Sequence, residues 1–378
     1  MITIRPGSHV HRLLQLLSTS GEIPTSALSL LGSERSLSDL IRKLETVQDI
    51  RFIKGGPVHR VRLIQVSGKK GERTIRLYKK GLPVLDGLHP GLLNWYMDAF
   101  RRHTFTSDQF HIERNHRVAE ALAMCIAAGI ETRPYILPPL QKAGISLVVP
   151  EFPGFYIARH LKKIADDETS KTSYTRIIVA LFYPGGVYAA YNTRASVMKW
   201  SGLGEVKTQG SLLELARMNA GLNEVSAAVL FGQSADVAIK TILESEKSRR
   251  PEMRFDRIYA RIHFVPLDQN GARLLRILVT PDWNERLLNA LFEQHQRSYN
   301  KGVMEYDAQI NKSIVFSHLD GDIARLIRFR EALNHYPHPE PPVVLCFPWQ
   351  AQFLKSYLCD HAALRELEMK AVEAALCK

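Results

Sequence analysis

The chain has 378 residues, 45% of them hydrophobic and 23% charged, which excludes a disordered, collagen-like or coiled-coil protein and suits two or three globular domains. Fifty Lys and Arg against 38 Asp and Glu leave a net charge of +12, and residues 1–105 hold 17 of the bases but only 8 of the acids. A basic head on a near-neutral body points to a nucleic-acid partner. The longest apolar run, Ala121 to Ile130, is too short to cross a bilayer, and no export signal opens the chain, so a cytoplasmic protein without a membrane partner is expected. Cys125, Cys346, Cys359 and Cys377 form no C-x-x-C pair, so neither a disulfide framework nor a structural zinc is expected.

In the head, Val10, Leu13, Leu14 and Leu17 recur with helical spacing, and Ser18 to Gly21 should break that helix. Pro24 suits the first turn of a second helix carrying Ala27, Leu28 and Leu31, with Gly32 as its stop. A third helix turns Leu37, Leu40, Ile41 and Leu44 inward, and Ser36 with Asp39 reads as a capping box. Ile50 to Lys54 and Val58 to Val66 read as strands around the turn Gly55-Gly56-Pro57, and Gly68-Lys69-Lys70-Gly71 as a second hairpin tip before the strand Thr74 to Tyr78. Three short helices followed by a basic hairpin describe a winged helix-turn-helix over residues 1–80. The candidate DNA-binding residues are Arg35, Ser36, Ser38, Arg42 and Lys43 on the third helix, and Lys54, His59, Arg60, Arg62, Lys69 and Lys70 on the wing. Arg35 and Arg42 have the geometry to read guanine edges, whereas Ser36, Lys43 and the wing bases suit phosphate.

Gly81 to Gly91 reads as a linker, followed by a connecting helix with Trp95, Tyr96 and Phe100, so that residues 81–107 join the head to a body at 108–378. A helix from Asp108 to Ala128 buries Val118, Ala121, Leu122, Cys125 and Ile126, while Glu113, His116 and Glu120 share another face, spaced as a metal or acid/base site would need but read first as a solvated polar face. Tyr174 to Phe182 and Val187 to Asn192 flank a Tyr183-Pro184-Gly185-Gly186 turn. Ala227 to Phe231 is a strand before a helix at Ala235 to Leu243. Tyr259 to Val265 and Leu274 to Thr280 read as a strand pair across the turn Asp268-Gln269-Asn270-Gly271. Asp282 reads as the cap of a helix through Leu287 to Phe292. Strand Ser313–Leu319, helix Gly321–Tyr336, strand Val343–Phe347 and helix Trp349–Ala375 close the chain. The body is therefore α/β, with antiparallel pairs on a mixed sheet. The ends of its parallel strands bring Ser317, His318, Asp320 and Asp322 near Cys346 to Gln350, and Asp320 and Asp322 read as helix-capping carboxylates.

The order of these pieces resembles the plasmid replication-relaxation proteins. The resemblance rests on Tyr78-Lys79-Lys80-Gly81, on Asp320 with the helix Ile323 to Leu333, and on Val343-Val344-Leu345-Cys346-Phe347. Val187 to Asn192 with Met198-Lys199-Trp200 also resembles proteins carried beside relaxase genes on conjugative elements of Firmicutes. The resemblance implies a C-terminal region similar to the PD-(D/E)xK nuclease core. Here His318 stands where that core has an acidic residue, Arg325 and Arg328 stand where a lysine is needed, and Glu205-Val206-Lys207 follows a segment that reads as loop. The expectation is a degenerate nuclease-like body with no catalytic residues, no metal and no cofactor.

The expected function is sequence-specific binding of double-stranded DNA for a mobile genetic element, in its replication, relaxation or transfer. A relaxase or other transfer protein is the expected partner, and a homodimer is compatible. The alternatives are a metal-dependent nuclease targeted by the winged helix, and a transcription regulator whose body senses a ligand in a closed apolar pocket.

Overall fold

The computed structural model describes residues 1–53, 55–68, 73–141, 143–157, 176–198, 202–225, 227–246, 251–298, 304–335 and 340–376. The protein is mixed α/β and forms two compact units. The first comprises Met1–Pro139 with Gly154–Ile157 and Leu267–Gln269, and the second holds the rest.

In the first unit, β1 (Ile2–Ile4) leads into α1 (His9–Ser20), whose N-terminus is capped by Ser8. The helix runs through Ser18, Thr19 and Ser20, expected to break it, because their hydroxyls donate to the carbonyls of Gln15 and Leu16 and are buried without penalty. Gly21 ends it at φ +79°, and a Cβ there would lie 2.4 Å from the Phe100 ring. Pro24 is not helical. It ends β2 (Glu22–Pro24) with extended backbone, and a 3₁₀ turn separates it from α2 (Leu28–Leu31). Then α3 (Glu34–Leu44) buries Leu37, Ile41 and Leu44, with Leu40 half-buried. Ser33 occupies its N-cap position without a side-chain capping bond, and Ser36 lies inside the helix, so the expected box does not form.

The strand expected over Val58 to Val66 is two strands in two sheets. β3 (Gln48–Phe52) pairs in parallel with β1 and antiparallel with β4 (His59–Val61). β5 (Ile64–Ser67) joins β6 (Thr74–Leu77), which pairs with β2. The break falls at buried Leu63, whose N–H donates to Leu44 and whose carbonyl accepts from Tyr78.

Gly81 to Gly91 is not a free linker. A 3₁₀ turn and α4 (Leu85–Leu88) bury Leu82, Val84 and Leu85, and α5 (Leu92–Ala99) follows. The long helix α6 (Gln109–Ala128), capped by Asp108, packs on α1, α2 and β2. It therefore belongs to the first unit, which extends well past residue 80. Of its expected buried face, Ala121, Leu122 and Cys125 are buried and Val118 and Ile126 half-buried. β7 (Gly154–Ile157) completes this unit.

The second unit traces one path twice. β8 (Val179–Tyr183) and β9 (Gly186–Arg194) form the expected antiparallel hairpin. Then come α7 (Gly202–Ala220), β10 (Ala227–Gly232), α8 (Ala235–Glu246), the short α9 (Phe255–Ile258) and β11 (Arg261–Pro266). β10 is parallel to both β9 and β11. Leu274 to Thr280 is not a return strand. α10 (Gln269–Leu278) occupies this stretch, and Gly271, Leu274, Leu275 and Leu278 form its buried helical stripe. α11 (Trp283–Leu291) follows, with Asp282 at its N-cap position but making no capping bond.

The path then repeats. β12 (Ala308–Ile310) and β13 (Ser313–Ser317) are antiparallel, and α12 (Ile323–His335) crosses to parallel β14 (Val343–Cys346). The helix expected from Trp349 to Ala375 is three elements: α13 (Pro348–Leu358), parallel strand β15 (Ala363–Glu366) and α14 (Met369–Leu376). Cys359 breaks it, adopting φ +51°.

Candidate functional site

The exposed side of α3 gathers five of the expected DNA-binding residues. Arg35, Ser38, Asp39 and Arg42 recur along one stripe, flanked by Ser36 and Lys43, opposite the buried Leu37, Ile41 and Leu44. Arg35, Ser36, Arg42 and Lys43 are exposed and Ser38 half-buried. Arg42 reaches Asp39 at 2.5 Å, but its side chain is 76% exposed, so this ion pair is weak and readily exchanged for another anion. Arg42 and Lys43 also sit in the last turn of α3, where a cation is favoured by the helix dipole.

On the hairpin, Arg60 is exposed and stands opposite Asp49 in the β3–β4 register, while His59 is half-buried. Arg51, two residues beyond Asp49 on the same face, is exposed as well and was not among the expected residues. The signal was its place in the strand: Asp49, Arg51 and Arg60 share one face once the pairing is known. Arg62 turns elsewhere. Its Nε donates to the Ile64 carbonyl at 3.0 Å, its guanidinium lies 3.7 Å from Glu45 and it covers the Tyr78 ring. It ties the end of α3 to the strands and is half-buried. Lys54, Lys69 and Lys70 lie outside the described residues.

The polar face of α6 is not solvated. His116 shares a 3.0 Å hydrogen bond with Thr74, and Glu120 accepts from Ser26; both are buried. Neighbouring Asn115 donates at 2.7 Å to Glu22, a fully buried carboxylate that also receives Arg76 across the β2–β6 pair. Half-buried Glu113 is held by Gln109 and Arg117. Each group on this face has its own partner, and the three do not converge on a metal site.

In the second unit, His318, Asp320 and Asp322 are all buried at the end of β13. Asp322 is the cap of α12: Oδ1 accepts from Arg325 N and from Ile262 N, both at 3.1 Å. Asp320 is not the cap. Its Oδ1 accepts from Asp322 N, and its carbonyl meets His263 Nδ1 at 3.0 Å. Burial alone would raise the Asp320 carboxyl, but His263 and Arg325 outweigh it and hold the group below the usual carboxylate range. Burial pushes His318 down to about 4, so it is neutral near pH 7. Between the two acids, the Gly321 carbonyl accepts from Phe264 N at 2.8 Å. Gly321 sits at φ +66°, and a Cβ there would lie 2.8 Å from the Phe264 oxygen. The loop thus satisfies two donors on β11, which has no strand on that side among the described residues. Among the described residues, no three His, Cys, Asp or Glu are grouped to hold a metal ion.

Glu205 of the E-x-K triplet lies in the first turn of α7, and Gly202 to Gly204, expected as loop, begin that helix. Its carboxyl is buried and accepts from Tyr191 at 2.9 Å, whose hydroxyl also meets Tyr259. Arg176 comes no nearer than 3.9 Å. Burial raises the Glu205 carboxyl to about 7, against 4.5 for the free side chain. The folded protein therefore holds this proton more tightly than the unfolded chain, and stability falls as pH rises from about 4.5 through 7. Glu205→Gln mimics the protonated form. Its stability relative to the parent should rise by on the order of 2 kcal/mol between pH 5 and 8. Urea titrations across that range check this, and a difference independent of pH would contradict it.

Among the described residues no helix is long and apolar enough to cross a membrane. Comparison with protein-family models, with curated proteins and with solved structures yields no match to this chain.

Proposed function

We propose that this chain is a sequence-specific double-stranded DNA-binding protein of a mobile genetic element, with a winged helix-turn-helix in its first unit. The observation that carries the reading is α3, whose exposed side gathers Arg35, Arg42 and Lys43 within the segment holding most of the excess positive charge. The antiparallel β3–β4 pair with exposed Arg51 and Arg60 supplies the wing. We further propose that the second unit has a degenerate PD-(D/E)xK-like fold without nuclease activity. What supports this is that Asp322 caps a helix, Asp320 braces its turn and Glu205 accepts from Tyr191. The role in replication, relaxation or transfer, and a relaxase partner, rest on the family resemblance.

The test is a genome-wide DNA pull-down with the full-length protein, followed by gel shifts on the enriched site. Enrichment near a transfer or replication origin is expected, and retention of no duplex DNA would sink the reading. On that site, Arg42→Ala should cost about 1–3 kcal/mol of specific binding and leave non-specific binding nearly intact, as loss of a base-edge hydrogen bond does. Arg60→Ala should weaken both about equally, as loss of a phosphate partner does. If both variants bind like the parent, α3 and the hairpin do not face DNA.

A further inference from the structure

The C-terminal sheet has two unlike faces. On one, Phe316 stacks on Phe329 of α12 at 4.3 Å and Val344 and Cys346 are fully buried. The other carries the alternate residues Val315, Val343 and Leu345, with Val315 beside Val343 and Leu345 beside Arg365 in register. Leu291 and Phe292, at the end of α11, wall this second face and leave a cavity of about 260 Å³.

The cavity is apolar except for Ser313 and Arg365. Arg365 is exposed, and no described carboxylate pairs with it. Its neighbour Glu366 alternates to the opposite face of the sheet, beside Cys346 in register. An apolar floor beside one uncompensated guanidinium complements an apolar tail ending in an anion, and a planar carboxylate fits the guanidinium fork. The volume exceeds the ~150 Å³ that takes benzene and falls short of the ~300–1,000 Å³ of drug-sized sites.

We propose that this pocket binds a small apolar carboxylic acid of roughly ten non-hydrogen atoms, its tail against Val315, Val343 and Leu345 and its carboxylate on Arg365. The proposal concerns the second unit alone and stands whether or not the first binds DNA.

Isothermal titration of the full-length protein with octanoate tests it, with 1-octanol as the uncharged counterpart. Octanoate should bind saturably at one site. Arg365→Ala should weaken octanoate about ten- to hundredfold, the loss of one charge-assisted bond, and leave octanol unchanged. Val343→Phe, which fills the cavity, should weaken both. Should Val343→Phe fail to fold, Arg365→Ala still decides, since this exposed side chain has no described partner. No saturable octanoate binding by the parent, or equal binding by Arg365→Ala, overturns the proposal.

Discussion

Between 50 and 200 mM salt, the affinity of the full-length protein for a short duplex should fall roughly 250- to 1,000-fold. This follows from about five phosphate contacts, which give a slope of log affinity against log salt near −4 to −5. The contacts have a source in the exposed bases of α3 and the β3–β4 pair. Replacing Arg35, Arg42 and Lys43 together by Ala should make that slope shallower by about 1, since Lys43 is the phosphate partner among them, and should lower specific affinity further through the loss of the two base readers. Because these side chains are exposed and oppose the buried stripe of α3, the melting of the triple variant should stay close to the parent's. Fluorescence anisotropy over a salt series measures the slope. A parent whose affinity does not change with salt would remove the electrostatic basis of the DNA reading.

Arg76→Met should destabilise the first unit by about 3–5 kcal/mol, the largest stability effect expected of a single substitution here. Glu22 has no exposed surface, and Arg76 is its only described cationic partner. Removing the guanidinium leaves a buried carboxylate with the Asn115 amide and no opposite charge. The guanidinium also lies 4.9 Å from the centre of the Phe105 ring, and the same substitution abolishes this cation–π attraction. The double variant Glu22→Leu/Arg76→Met should recover most of the stability, short of what the stranded Asn115 amide costs. Urea denaturation of the parent, the single and the double variant checks the pattern. A single variant within about 1 kcal/mol of the parent would show that the pair contributes little.

Local pattern reveals the elements whose burial is one-sided. The apolar stripes of α1 and α3, the Tyr183–Gly186 hairpin and the alternation of α12 and β14 are legible because their period is set by a single partner surface. Local pattern fails where long-range partners override local preference. Asp268 to Gly271 has strong turn chemistry, yet the apolar residues that follow pack as the stripe of a helix. Ala363 to Glu366 has no strong strand signal and is a strand because β14 offers it an edge. The residues of α3 can be named from spacing alone, whereas Arg51 needs the strand register and the inward turn of Arg62 needs Glu45 and Tyr78 in place. The polar face of α6 is illegible for a different reason: periodicity does not distinguish a wet face from one whose polar groups meet buried partners.

The Asp320–Asp322 turn also has a bearing on how the protein is made. β11 leaves the ribosome well before the turn that covers it, since Ile262 and Asp322 are 60 residues apart in the chain. During that interval the nascent β8–β11 sheet ends in a strand whose Ile262 and Phe264 N–H groups lack the Asp322 and Gly321 oxygens that later accept from them. An uncovered apolar edge recruits other strands, so this is the stage at which the chain is most exposed to aggregation. Chains truncated before Gly321 should therefore depend on chaperones or accumulate as inclusion bodies, and a bulky residue at position 321 should prolong the same vulnerability in the complete chain.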